Sequence, residues 1–85
     1  LYDFFHPTVT EIAEYDRNNN SEFIPTLEAY LTYVDNPSEA AKNLNVHKNT
    51  LFYRINKIKE LFGLILNDGY ERAKILTTLS FMKLK

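Results

Sequence analysis

The run Asn36 to Lys59, NPSEAAKNLNVHKNTLFYRINKIK, leaves this chain few ways to fold. Asn36, then Pro37, with Glu39 three residues after the cap, is a helix start: the side chains cover orphan N–H groups and the proline presets the backbone. Ala40, Ala41 and Leu44 give that helix a small apolar inner surface on which a second helix can sit closely. Asn45 stands where a sharp turn needs left-handed backbone, which Asn tolerates best among the non-glycine residues, and Val46 follows as an apolar plug. A second helix then begins at about Lys48. At about 100° per residue it places Leu51, Ile55, Ile58 and Phe62 in one stripe roughly 60° wide, facing a core. Asn49, Tyr53, Asn56, Lys57 and Glu60 fall opposite, with His47 and Lys48 at the N-terminal end.

Two short helices around a tight turn make a helix–turn–helix. Such a unit can lay its second helix in the major groove of B-DNA, where each base pair shows a distinct donor and acceptor pattern, while the first crosses the backbone. Spacing alone fits equally an αα-corner in a small bundle. The residues go further, since Val46-His47-Lys48-Asn49-Thr50-Leu51-Phe52-Tyr53-Arg54-Ile55 carries the run His-x-Asn-Thr-Leu-x-Tyr-Arg. In this, and in Thr26-Leu27, Tyr30-Leu31, Ala40-Ala41, Leu44, Leu61, Gly63 and Leu66, the chain resembles the C-terminal helix–turn–helix domain of PucR/CdaR-type bacterial transcriptional regulators, over roughly residues 23 to 80. Phe52 departs from the pattern, as relatives often carry a basic residue there. The resemblance implies double-stranded DNA as partner, a sensory part upstream in the same chain, and a homodimer of the full-length protein acting on inverted or spaced sites.

Length and composition agree with this. The 85 residues make one domain, with the helix–turn–helix core at 36–61, and the expected class is all-α, a small bundle of about five helices. With 45% hydrophobic and 14% aromatic residues the chain is globular. It has no cysteine, which removes disulfide and thiolate chemistry and suits a cytoplasmic location. The longest apolar run, Leu61 to Leu66, is far short of the roughly 20 residues that span a bilayer. A start at Leu1 rather than Met is expected of a fragment of a longer protein. The net charge of −1 is not a nucleic-acid footprint, but its distribution is polar. Residues 1–35 set Arg17 against seven carboxylates, whereas residues 36–61 set five basic residues against Glu39 and Glu60. The positive charge sits on the proposed binding unit.

The remaining segments read as support. Leu1 to Pro7 is an apolar, aromatic segment expected to pack on the bundle. Thr8 and Glu11 form a capping box that opens a short helix with Val9, Ile12 and Ala13 inward, and Asp16 to Asn20 reads as the loop that ends it. Ser21 caps a second helix through Val34, with Pro25 in its first turn and Ile24, Leu27, Leu31 and Val34 at helical spacing. Gly63 stops the helix that begins near Lys48, and Leu64 to Leu66 connect onward. Asp68 and Glu71 open a last helix from about Gly69 to Met82, with Ile75, Leu76, Leu79 and Met82 inward. Phe81 and Leu84 lie elsewhere on it, against Leu1 to Phe5 or against another subunit.

Candidate DNA contacts carry alternatives. Asn49 can pair bidentately with adenine, or bond a neighbouring backbone group. His47 and Lys48 stand where a phosphate meets a helix start, although His47 serves equally as an N-cap. Tyr53 suits a thymine methyl or a phosphate, or packs under the preceding helix. Arg54, at the edge of the core stripe, makes either a structural ion pair or a phosphate contact. Asn56 and Lys57 are groove-edge or phosphate contacts, and Lys42 reaches the backbone from the helix before. Nothing resembles a catalytic constellation, a glycine-rich phosphate loop or a metal set, so no enzyme activity and no cofactor are expected. The competing function is a helical protein-interaction module in which Phe52 and Tyr53 dock a partner.

Overall fold

The computed structural model describes residues 5–83, and among them the order is α1 (Pro7–Asn19), α2 (Phe23–Thr32), α3 (Pro37–Asn43), α4 (Lys48–Phe62) and α5 (Gly69–Lys83), an all-α bundle without strands. Leu1 to Phe4, expected to pack on the bundle, and Leu84, expected against Leu1 to Phe5 or another subunit, lie outside the described residues. α2 is the central element and packs on all four others. α5 rests on α1 and α2.

Most boundaries follow from local chemistry, and several expectations need correcting. α1 begins at Pro7, not after a Thr8 cap. A residue before proline is driven to extended backbone, and His6 adopts it (φ −102°, ψ 108°), so helical geometry starts at the proline itself. The expected loop at Asp16 to Asn20 is helix as far as Asn19, and only Asn20 takes the left-handed conformation (φ 52°) that ends α1. The reason lies in Asp16, whose carboxylate accepts the backbone N–H groups of Phe23 (2.9 Å) and Ile24 (2.8 Å) and the hydroxyl of Ser21. Asp16, from the last turns of α1, thus covers the first donors of α2, the role assigned to Ser21 from sequence. α2 also stops at Thr32, two residues short of Val34, which is exposed. The Asn36 N–H closes a turn on the Tyr33 carbonyl at 2.8 Å, because Pro37 forces the chain out of helix just ahead of it.

The corner between α3 and α4 is built as the sequence reading has it. The Asn36 side chain accepts the Glu39 N–H at 3.2 Å. Leu44 ends α3, and Asn45 takes φ 58°. Val46 donates its N–H to the Ala41 carbonyl at 3.0 Å, closing the turn. Ala40 and Ala41 are buried, so their methyl groups set a short distance between α3 and its neighbours α2 and α4. Asn45→Val places a β-branched residue at this positive φ and is expected to cost about 1–2 kcal/mol of stability, read from the urea midpoint, whereas Asn45→Gly is tolerated.

The core joins Val9 and Ile12 of α1, Leu27 and Leu31 of α2, Leu51, Ile55 and Ile58 of α4, and Ile75 and Leu79 of α5. Tyr15 stacks on Phe23 (5.3 Å between centroids) and meets Phe62 edge-on (5.6 Å), which ties the end of α4 to α1 and α2. Gly63 caps α4 at φ 65°. Leu64 and Leu66 turn inward while Ile65 stays exposed. Asp68 caps α5 by accepting the Tyr70 N–H at 2.9 Å, but Glu71 does not reach back as a capping partner and instead meets His6 Nε2 at 3.0 Å. The His6 N–H also donates to the buried Thr78 hydroxyl at 2.8 Å, and Phe5 lies edge-on to Phe81 at 4.9 Å, so the start of α1 is fastened to α5.

Candidate nucleic-acid interface

α4 divides cleanly into two sides. Leu51, Ile55 and Ile58 are buried, while Lys48, Asn49, Tyr53, Asn56 and Glu60 are exposed and Lys57 is half-exposed. His47 is the N-cap: its Nδ1 accepts the Asn49 backbone N–H at 3.0 Å. A ring nitrogen that accepts carries no proton, so in the neutral ring the proton sits on Nε2, away from the cap. The cap uses only the backbone of Asn49. The Asn49 carboxamide stands exposed and, among the described residues, makes no hydrogen bond.

Tyr53 is 64% exposed, which excludes the alternative that it packs under α3. Phe52 beside it is 38% exposed. Lys42 lies in the last turn of α3 and is exposed, as is Lys48 at the first position of α4. Among the described residues Lys42, Lys48 and Lys57 form no ion pair, so their charges are not neutralised within the chain. The carboxylates of α2 and α5 that do pair, Glu28 with Lys83 (2.6 Å) and Glu71 with His6, belong to other parts of the bundle.

Arg54 differs from the other candidates. Its Nη1 donates to the Thr26 hydroxyl at 3.3 Å and its Nη2 lies 3.9 Å from the Glu22 carboxylate, with the side chain 23% exposed. Of the two roles open for it in the sequence, the structure supplies partners for the structural one. From sequence Thr26 stands out only through the family resemblance, with no role toward Arg54, and Glu22 does not stand out at all. A signal was present, since Thr26 falls at helical spacing between Phe23 and Tyr30, on a side of α2 otherwise apolar. Among the described residues no three His, Asp or Glu side chains gather to hold a metal ion, and no helix is long and apolar enough to cross a membrane.

A family model described as the PucR C-terminal helix-turn-helix domain matches residues 23–80. The chain belongs to this PucR family. It is 34% identical over 84 residues to the purine catabolism regulatory protein of Bacillus subtilis (strain 168), covering 99% of this chain and 16% of that protein. It is 37% identical over 70 residues to the proline-responsive transcriptional activator PutR of the same organism, covering 82% of this chain and 17% of PutR. The carbohydrate diacid regulator of Escherichia coli (strain K12) matches at 37% over 62 residues, 73% of this chain and 16% of the regulator. These PucR-family relatives are regulatory proteins, not enzymes, and the chain spans about a sixth of their length. No solved structure matches it.

Proposed function

We propose that this chain is the double-stranded DNA-binding part of a bacterial transcriptional regulator and that it reads sequence by laying α4 in the major groove. The observation that carries the reading is the outer side of α4. It presents an exposed carboxamide at Asn49, a second amide at Asn56 and a largely exposed Tyr53, beside Lys42, Lys48 and Lys57, which among the described residues form no ion pair. Asn49 stands at the N-terminal end of that helix, where base edges are read. Lys42, Lys48 and Lys57 contact phosphates, and the Nε2–H of His47 is available as a donor to another. Three phosphates neutralised by these lysines release their condensed counterions and give a salt slope of about −3 per copy. The acidic first part of the chain, with Glu11 and Glu14 exposed, would turn away from DNA.

In the longer protein this part acts at the end of a chain whose upstream portion is sensory, and two copies engage two half-sites as a homodimer. The match to only about a sixth of each relative supports an additional portion of that kind. Phe52, exposed next to Tyr53, supports a second reading, in which this side of α4 docks a protein.

Selection from a random duplex library, followed by fluorescence anisotropy at several salt concentrations, separates the two. A converged motif with steep salt dependence supports DNA readout, and no binding to any duplex at low salt refutes it. Within that experiment Lys57→Ala is expected to weaken cognate and scrambled duplexes alike and to lower the salt slope by about one unit.

A further inference from the structure

We infer that Arg54 is a positioning residue that sets the rotation of α4 from behind and makes no phosphate contact; the inference rests on the DNA-binding reading above. Among the described residues, Arg54 is the one basic residue of α4 with partners inside the bundle. Thr26 is fully buried, and its hydroxyl donates to the Glu22 carbonyl at 2.7 Å. With its single proton committed there, the hydroxyl oxygen turns its lone pairs to an incoming donor, and Arg54 Nη1 supplies one at 3.3 Å. Nη2 of the same guanidinium lies 3.9 Å from the Glu22 carboxylate. The planar fork therefore spans two groups one helical turn apart on α2, a fit that the point charge of a lysine does not reproduce.

The anchor sits at a shared junction. Glu22 and Thr26 flank the start of α2, and it is this same start whose first N–H groups are held by Asp16 of α1. Arg54 thus ties α4 to the point where α1 and α2 are already fastened together. At about 100° per residue its Cα direction lies close to 100° from that of Tyr53 and about 140° from that of Asn49, so a fixed Arg54 fixes where the outer side points. Apolar packing at Leu51, Ile55 and Ile58 sets which side of α4 faces outward, and a directional contact narrows the small roll that remains. The Nη1–Thr26 hydrogen bond has that direction, and the Glu22 carboxylate adds only its charge at 3.9 Å.

This distinguishes Arg54 from the lysines in a measurable way. Bidentate base contacts demand placement within a fraction of an ångström, while flexible lysines follow a phosphate through a small rotation. Loss of the anchor should therefore remove sequence preference and leave the electrostatic part of binding in place.

The test uses the full 85-residue chain with Arg54→Lys, which keeps the charge, and Thr26→Val, which keeps Arg54 and the shape of the site but removes its acceptor. Both variants are expected to lose about tenfold on the selected duplex, to lose little on a scrambled one, and to keep the wild-type salt slope. In the free protein both should shift the backbone amide NMR signals of Asn49 and Tyr53. The inference is overturned if Arg54→Lys binds both duplexes like wild type while Arg54→Gln lowers the salt slope by about one unit, which marks a phosphate contact. It is equally overturned if the Asn49 and Tyr53 signals stay in place in both variants, a result that stands without DNA. A wild-type chain that binds no duplex would instead refute the DNA-binding reading, with the NMR comparison still deciding whether Arg54 positions α4.

Discussion

Leu51→Ala is expected to remove about 3 kcal/mol of folding stability. Leu51 is fully buried in the first turn of α4, where that helix meets the small residues of α3 and the central helix α2. Truncating it deletes three buried carbon atoms and leaves a cavity that cannot close readily. Ala40 and Ala41 have no side-chain length with which to fill it, and the turn at Asn45 and Val46 holds α3 at its distance. For a chain of this size the total stability is about 4–13 kcal/mol, so the loss is a large fraction of it, and the melting temperature should fall by roughly 15 °C. Tyr53→Ala, two residues away on the exposed side, should stay within about 0.5 kcal/mol of wild type. Urea unfolding of both variants, followed by circular dichroism, checks the pair. A Leu51→Ala loss below about 1 kcal/mol would mean that the α3–α4 corner is not part of the cooperative core.

That contrast within one helix explains how much of the fold was legible in the sequence. α4 shows its two sides because its apolar residues recur at the helical period and its cap, turn and stop are local: His47, Asn45 and Gly63 each act within a few residues of their own position. The same holds for Asn36 and Pro37 at the start of α3. Two helix ends were missed because a neighbouring proline, Pro7 or Pro37, outweighed the apparent cap or spacing, whereas at Asp16 and Glu71 the deciding partner lies beyond the local turn. Asp16 reads as a loop residue because Asp16-Arg17 followed by three Asn has poor helix propensity, but its carboxylate holds the N–H groups of Phe23 and Ile24 instead of ending its own helix. Glu71 looks like half of a capping box, and His6, 65 positions away, takes it instead.

The candidate site shows the same division. Which side chains of α4 face outward followed from periodicity, and exposure of Asn49, Tyr53 and Asn56 needed nothing else. Arg54 lies at the boundary between the two sides, where a rotation angle does not decide. Its direction is set by Thr26 and Glu22, 28 and 32 positions earlier, and pair spacing of that kind has no periodic signature. Net charge was a weak guide as well, since a formal −1 averages an acidic α1–α2 region with a basic α3–α4 corner.

Asn49→Ala is expected to cost about 1–3 kcal/mol of affinity for the selected duplex and almost nothing for a scrambled one. The substitution is clean on the protein side. The α4 cap is made by His47 Nδ1 with the Asn49 backbone N–H, which alanine keeps, and alanine favours helix more than asparagine does, so the thermal midpoint should hold or rise slightly. Any loss of binding is then a loss of contact with DNA. Because a carboxamide pairs with one base edge, the motif recovered by repeating the library selection with the variant should relax at a single position and keep the rest. Lys57→Ala provides the opposite pattern, a uniform loss with a smaller salt slope, and the two variants measured side by side separate reading from positioning on the phosphates. Equal losses on cognate and scrambled duplexes with Asn49→Ala would make it a phosphate contact, and an unchanged motif would move base readout to Tyr53 and Asn56 farther along α4.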